Sequence, residues 1–82
     1  MTDEEIMKDR AKSYGDAKVS FQGIANLWTN YIDYNIEPHE VAIMMALLKI
    51  NRIKTAEGDS LKDSFQDARN YLTLAEGLKN GE

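Results

Sequence analysis

The sequence predicts an all-α fold, a compact domain of four helices joined by short connections, and three observations predict it. Apolar residues recur at the three- and four-residue intervals that place them on one face of a helix. Helix-starting residues stand at intervals along the chain: Thr2, Asp16, Pro38 and Asp59. The segments between the periodic stretches are only a few residues long, which makes sequential helices mostly antiparallel neighbours.

Thr2 and Glu5 form a capping-box pattern, each side chain satisfying the other residue's free backbone N–H, and they open a first helix running to about Ser13. Tyr14-Gly15-Asp16 is expected to break it, with Gly15 ending one helix and Asp16 capping the next. The second helix runs from about Ala17 to Tyr34. Its apolar positions Phe21, Ile24, Ala25, Trp28, Tyr31 and Ile32 fall on one face, with Trp28 as a core anchor. After the Asn35-Ile36-Glu37 link, the only proline, Pro38, suits the first position of a third helix reaching about Lys54.

Within that third helix, Val41 to Leu48 is apolar on every side, the pattern of a helix surrounded by protein. In so short a chain, part of that surround is expected to be a second copy. Lys49, Arg52 and Lys54 gather near its C-terminal end, where cations favour the helix dipole. Thr55 to Gly58 is a loop. Asp59 caps a fourth helix to about Leu78, with Leu61, Phe65, Ala68, Leu72 and Ala75 as its core face and Lys62, Gln66, Arg69 and Thr73 as its solvated one.

Residues 1–82 read as one domain, with no internal repeat, low-complexity stretch or linker. A domain of this size buries only about 60% of the surface its unfolded chain exposes. With no cysteine and a single histidine, neither disulfides nor a structural zinc site can supplement the core, which leaves oligomerisation as the available support. A net charge of −4 disfavours duplex nucleic acid as a partner, because such binding depends on neutralising phosphates with Lys and Arg. The longest apolar run is far shorter than the roughly 20 residues that span a bilayer, and no charged-then-apolar signal opens the chain. The expected location is cytoplasmic, without membrane contact.

One stripe carries chemical information. Asp63 and Asp67 belong to neither face of the fourth helix, because steps of four continue from them to Tyr71 and Leu74, with Leu78 close by. Two like charges at i and i+4 repel, so the pair invites a cation. Lys49 and Arg52 on the preceding helix supply one as a salt-bridge network. Alternatively, the aspartates hold Mg²⁺, which takes one or two carboxylates plus phosphate and water, and the two basic residues hold a nucleotide's phosphates. His39 reads as an exposed first-turn residue, and Glu37 and Glu40 as complements to the helix dipole. Tyr14, Tyr31 and Tyr34 read as core edges. The chain holds no Ser/His/Asp or Cys/His set and no Gly-rich phosphate loop.

The ordered series Arg10-x3-Tyr14-Gly15-Asp16, Ile24-Ala25-x-Leu27-Trp28, Val41-Ala42-x-Met44-Met45-x-Leu47-Leu48-Lys49-x2-Arg52 and Asp63-x3-Asp67-x3-Tyr71 resembles a family of small bacteriophage proteins of unknown function over nearly the whole chain. Ala17 stands where that family often has proline. More distantly, the series is similar to phage nucleotide-modification-associated domains and to MazG-like all-α nucleoside triphosphate pyrophosphohydrolases. That resemblance implies an oligomeric helical bundle, Mg²⁺ on Asp63, Asp67 and Glu40, and phosphate contacts from Lys49 and Arg52. Arg10, Tyr14, Gly15, Asp16, Trp28 and Tyr71 are motif positions without an implied chemical role. The MazG pattern has Glu-x2-Glu followed by Glu-x2-Asp, whereas here Glu37 and Glu40 precede Asp-x3-Asp. One residue of shift turns a ligand by about 100°, so binding without turnover is compatible with the departure.

Two functions follow as expectations. The first is a phage nucleotide-binding protein acting as a Mg²⁺-dependent pyrophosphohydrolase. The second is a non-catalytic phage protein that binds a host protein or sequesters a nucleotide defence signal. A DNA mimic ranks last, because −4 on 82 residues is thin acidity.

Overall fold

The computed structural model describes the backbone of residues 3–81 and the side chains of residues 14–81. Among these residues the regular secondary structure is all helical. It has three helices, α1 (Asp3–Ile32), α2 (Pro38–Ile53) and α3 (Gly58–Lys79). The all-α class stands, but the four-helix expectation is corrected: α1 runs unbroken through Tyr14-Gly15-Asp16. A glycine stops a helix by adopting left-handed backbone at the position after the cap. Gly15 does not, since positive φ occurs only at Asp33, Gly58 and Gly81 among the described residues. Inside a helix, glycine costs only about 1 kcal/mol relative to alanine, which neighbours on both sides can absorb. Asp16 is therefore a mid-helix residue and not a cap. The expected Thr2–Glu5 capping box lies outside the described residues.

The stop comes instead at Asp33, whose φ of 55° places it in the left-handed region, one that Asp and Asn tolerate better than other side chains. The turn that follows is tied back to α1. The Thr29 hydroxyl accepts the Ile36 N–H at 2.8 Å and lies 3.4 Å from the Ile36 carbonyl, to which it donates. Pro38 then starts α2, and the Glu40 carboxylate accepts the N–H of Glu37 at 3.0 Å, satisfying one of the donors a helix start leaves free. At the other connection, the N–H of Leu61 reaches the Glu57 carbonyl, and Gly58 takes the positive φ that the tight entry into α3 requires.

Helices α2 and α3 form the most intimate pair, and α1 packs mainly on α2. The buried side chains are nearly all small: Ala25, Val41, Ala42, Ala46, Ala68 and Ala75, with Ser64 the buried polar one among the described residues. Small residues on facing helices let the backbones approach closely, so α2 and α3 close on a thin seam. Two expectations about the core change as a result. Phe65 and Leu72, placed in the α3 core face, are about half exposed. Ala68 and Ala75 of that face are buried as expected, and Ser64 joins them in the buried stripe, with Tyr71, Leu74 and Leu78 half-buried beside it. Trp28 is half-buried rather than a fully enclosed anchor. Helix α2, apolar all round, is covered on one side only. Exposure runs from 37% at Met44 through Ile43, Ile50 and Leu48 to 57% at Leu47.

Candidate functional site

The salt-bridge partner expected for the aspartate pair is where topology places it. Antiparallel packing brings the C-terminal half of α2 beside the N-terminal half of α3, and Lys49 Nζ lies 3.1 Å from Asp67 Oδ2. The lysine side chain is only 16% exposed and the aspartate 42%, so the pair sits at the edge of the α2–α3 seam. In that half-covered position a lysine needs a counter-charge, and Asp67 supplies it.

The remaining singled-out residues are not gathered around this pair. Asp63 is exposed and lines an open hollow on the outer side of α3 with Asp59, Lys62, Gln66 and Arg69. Arg52 is exposed at the end of α2. Neither Asp63 nor Arg52 takes part in an ion pair among the described residues. Glu40 precedes Lys49 by nine residues on α2, about 13 Å along the axis, and its carboxylate is turned to the Glu37 N–H. Among the described residues no three His, Cys, Asp or Glu side chains stand together as a metal cluster. Mg²⁺ binds oxygen at about 2.0–2.1 Å, so Glu40 and Asp67 do not fit one ion in this conformation, and Asp67 already faces an ammonium group.

Of the other motif positions, Tyr71 has a structural contact: its ring stacks on Phe21 of α1, centroids 6.2 Å apart and planes 27° from parallel. Tyr14 and Trp28 are half-buried on α1, Gly15 and Asp16 exposed, and the side chain of Arg10 lies outside the described residues. Periodicity alone did not single out the Phe21–Tyr71 stack or the Thr29–Ile36 clasp. A threonine seven residues before a half-buried turn residue carries no pattern of its own.

A family model described as a domain of unknown function, DUF6378, matches residues 1–79. The chain belongs to the DUF6378 family. It is 39% identical to the Gene 55 protein of Mycobacterium phage L5 over 80 residues, covering 95% of this chain and 50% of that protein. It is 35% identical to the Gene 55 protein of Mycobacterium phage D29 over 73 residues, covering 89% and 47%. The chain thus spans about half the length of these curated relatives, and no solved structure matches it. The resemblance to small phage proteins of unknown function is thereby shown, while none of these matches bears on MazG-type chemistry. Within this DUF6378 chain the described helices include none long and apolar enough to cross a membrane.

Proposed function

We propose that this DUF6378 domain works by protein–protein contact, as a non-catalytic helical module of a phage protein. The observation that supports it is the outward side of α2: five large apolar residues, Ile43, Met44, Leu47, Leu48 and Ile50, stand exposed there in successive turns. Contiguous apolar patches of more than a few hundred Å² mark association surfaces on folded domains. In this reading Lys49 and Asp67 are scaffold: each neutralises the other and pins α2 to α3, and neither is held ready for a ligand.

The nucleotide reading keeps one specific support. Asp63 and Arg52 are exposed and outside any ion pair among the described residues, so one could take a cation and the other a phosphate if Lys49 released Asp67. Glu40 would take no part. Thermal unfolding with nucleoside triphosphates and cyclic dinucleotides, with and without Mg²⁺, separates the two readings. Contact function predicts no ligand-dependent shift. A Mg²⁺-dependent rise abolished by Asp63→Asn would overturn it, since a ligand at 100 times its Kd adds about 2.7 kcal/mol.

A further inference from the structure

Along the uncovered side of α2, on the flank that borders the α2–α3 groove, runs the series of half-buried Glu40, then exposed Ile43, Leu47, Ile50 and, at the C-cap, Lys54. The steps between them are three, four, three and four residues, the spacing that keeps a seam facing a partner helix along its length. The series is also close to symmetric about Leu47: Glu40 and Lys54 each lie seven residues from it, and Ile43 and Ile50 lie four and three. Inverting it about Leu47 exchanges the acidic end with the basic one and brings Ile43 to within one residue, about 1.5 Å, of the place of Ile50. A face with this order is complementary to itself when the partner runs antiparallel, and in a parallel pairing Glu40 would meet Glu40 and Lys54 would meet Lys54.

We infer that two copies of the domain pair through α2, antiparallel about a two-fold axis at Leu47. Ile43 of each copy then packs on Ile50 of its partner, and Glu40 faces Lys54 at both ends. This deepens the contact reading above by naming a second copy as the occupant. Lys54 is exposed and has no ion-pair partner among the described residues, and Glu40 uses a carboxylate oxygen on the Glu37 N–H without an ion pair.

Area points the same way. Phe65 and Leu72 extend the apolar side, Leu72 sharing a hollow with Ile43 at the α2–α3 groove. Taking about 200 Å² for a fully exposed large apolar residue, the uncovered apolar surface is roughly 650 Å² per copy, near the ~800 Å² that each partner buries in a standard interface.

The first test is sedimentation equilibrium of the 82-residue chain and of Leu47→Arg, with circular dichroism to verify that the variant remains folded. The expected result is a dimer whose dissociation constant rises at least about thirtyfold in the variant, as for loss of a central hot spot. Charge variants give a second test that needs no core change. Glu40→Lys and Lys54→Glu should each weaken self-pairing, whereas their equimolar mixture should form a heterodimer with both end pairs restored. Orientation is read from single cysteines, because the chain has none of its own. Mixed Ile43→Cys and Ile50→Cys chains should cross-link to each other in preference to their own kind.

Preferential Ile43→Cys homodimers would overturn the antiparallel assignment. A dimer indifferent to Leu47→Arg would overturn this interface while leaving the contact reading standing. A chain monomeric up to about 100 μM, far above the micromolar Kd range such a face implies, would overturn self-pairing. The contact reading would then be judged separately, by the nucleotide titration.

Discussion

Replacing Asp67 by asparagine tests what holds α2 to α3, and the sign of the effect matters more than its size. As scaffold, Asp67 is the counter-charge of a lysine that is 16% exposed, at 3.1 Å. Exposed ion pairs contribute roughly 0–1 kcal/mol, and breaking a fully buried one costs about 3–5 kcal/mol. With the aspartate itself 42% exposed, solvent screens much of the interaction, and a loss of about 1–2 kcal/mol is expected. For a domain this small that lowers Tm by about 5–15 °C. If Asp67 were instead one of two mutually repelling carboxylates waiting for Mg²⁺, removing its charge in metal-free buffer would relieve repulsion and leave stability unchanged or raised. Urea unfolding of the chain, Asp67→Asn, Lys49→Met and the double variant completes a cycle that isolates the pair. Destabilisation in each single variant, with much of it recovered in the double, supports the scaffold role. Asp67→Asn at or above the parent stability, with no coupling to Lys49→Met, would refute it.

Gly15→Ala should stabilise the chain by about 0.5–1 kcal/mol, because the position is mid-helix with open space where a Cβ would stand; a loss of helicity would restore a break at this point. Thr29→Val keeps the shape of the side chain but leaves the Ile36 N–H without its acceptor, at a cost of about 1–2 kcal/mol by urea unfolding. Thr29→Ser should recover most of that loss, since the hydroxyl and not the methyl group makes the clasp.

How much of this was legible beforehand depended on what kind of signal each feature leaves. The start of α2 at Pro38 and the loop before α3 read directly, because proline and the surrounding polar residues act locally. Lys49 facing Asp67 also read from topology, since a short loop makes α2 and α3 antiparallel and their facing ends then follow. The break at Gly15 misread a permissive residue as a directive one: glycine allows a stop, but only a left-handed backbone makes one, and that occurs at Asp33. The α3 core was set slightly off its true line because Phe65 and Leu72 outweigh Ser64 in hydrophobicity, while Ala68 and Ala75 were placed correctly. Close approach of two backbones instead selects small side chains, and no count of apolar residues shows that preference.

That preference links the fold to the proposed function. Burial stabilises by roughly 25 cal/mol per Å² of apolar surface removed from water, so a core lined by alanines recovers little from each residue it encloses. Meanwhile Leu47, Leu48, Ile43 and Ile50 remain in contact with solvent on α2, along with Phe65 and Leu72 on α3. A close α2–α3 seam and an uncovered α2 exterior are two consequences of one arrangement: the alanines that admit α3 on one side leave the larger residues to the other. Covering that exterior would add more apolar burial per residue than the internal seam does. In the proposed dimer, association through α2 would be coupled to the stability of the whole domain, and Tm would rise with protein concentration, as it does when folding and assembly are linked. A Tm independent of concentration, in a chain shown to dimerise, would place the dimer contact where it adds nothing to the fold, away from the α2 exterior.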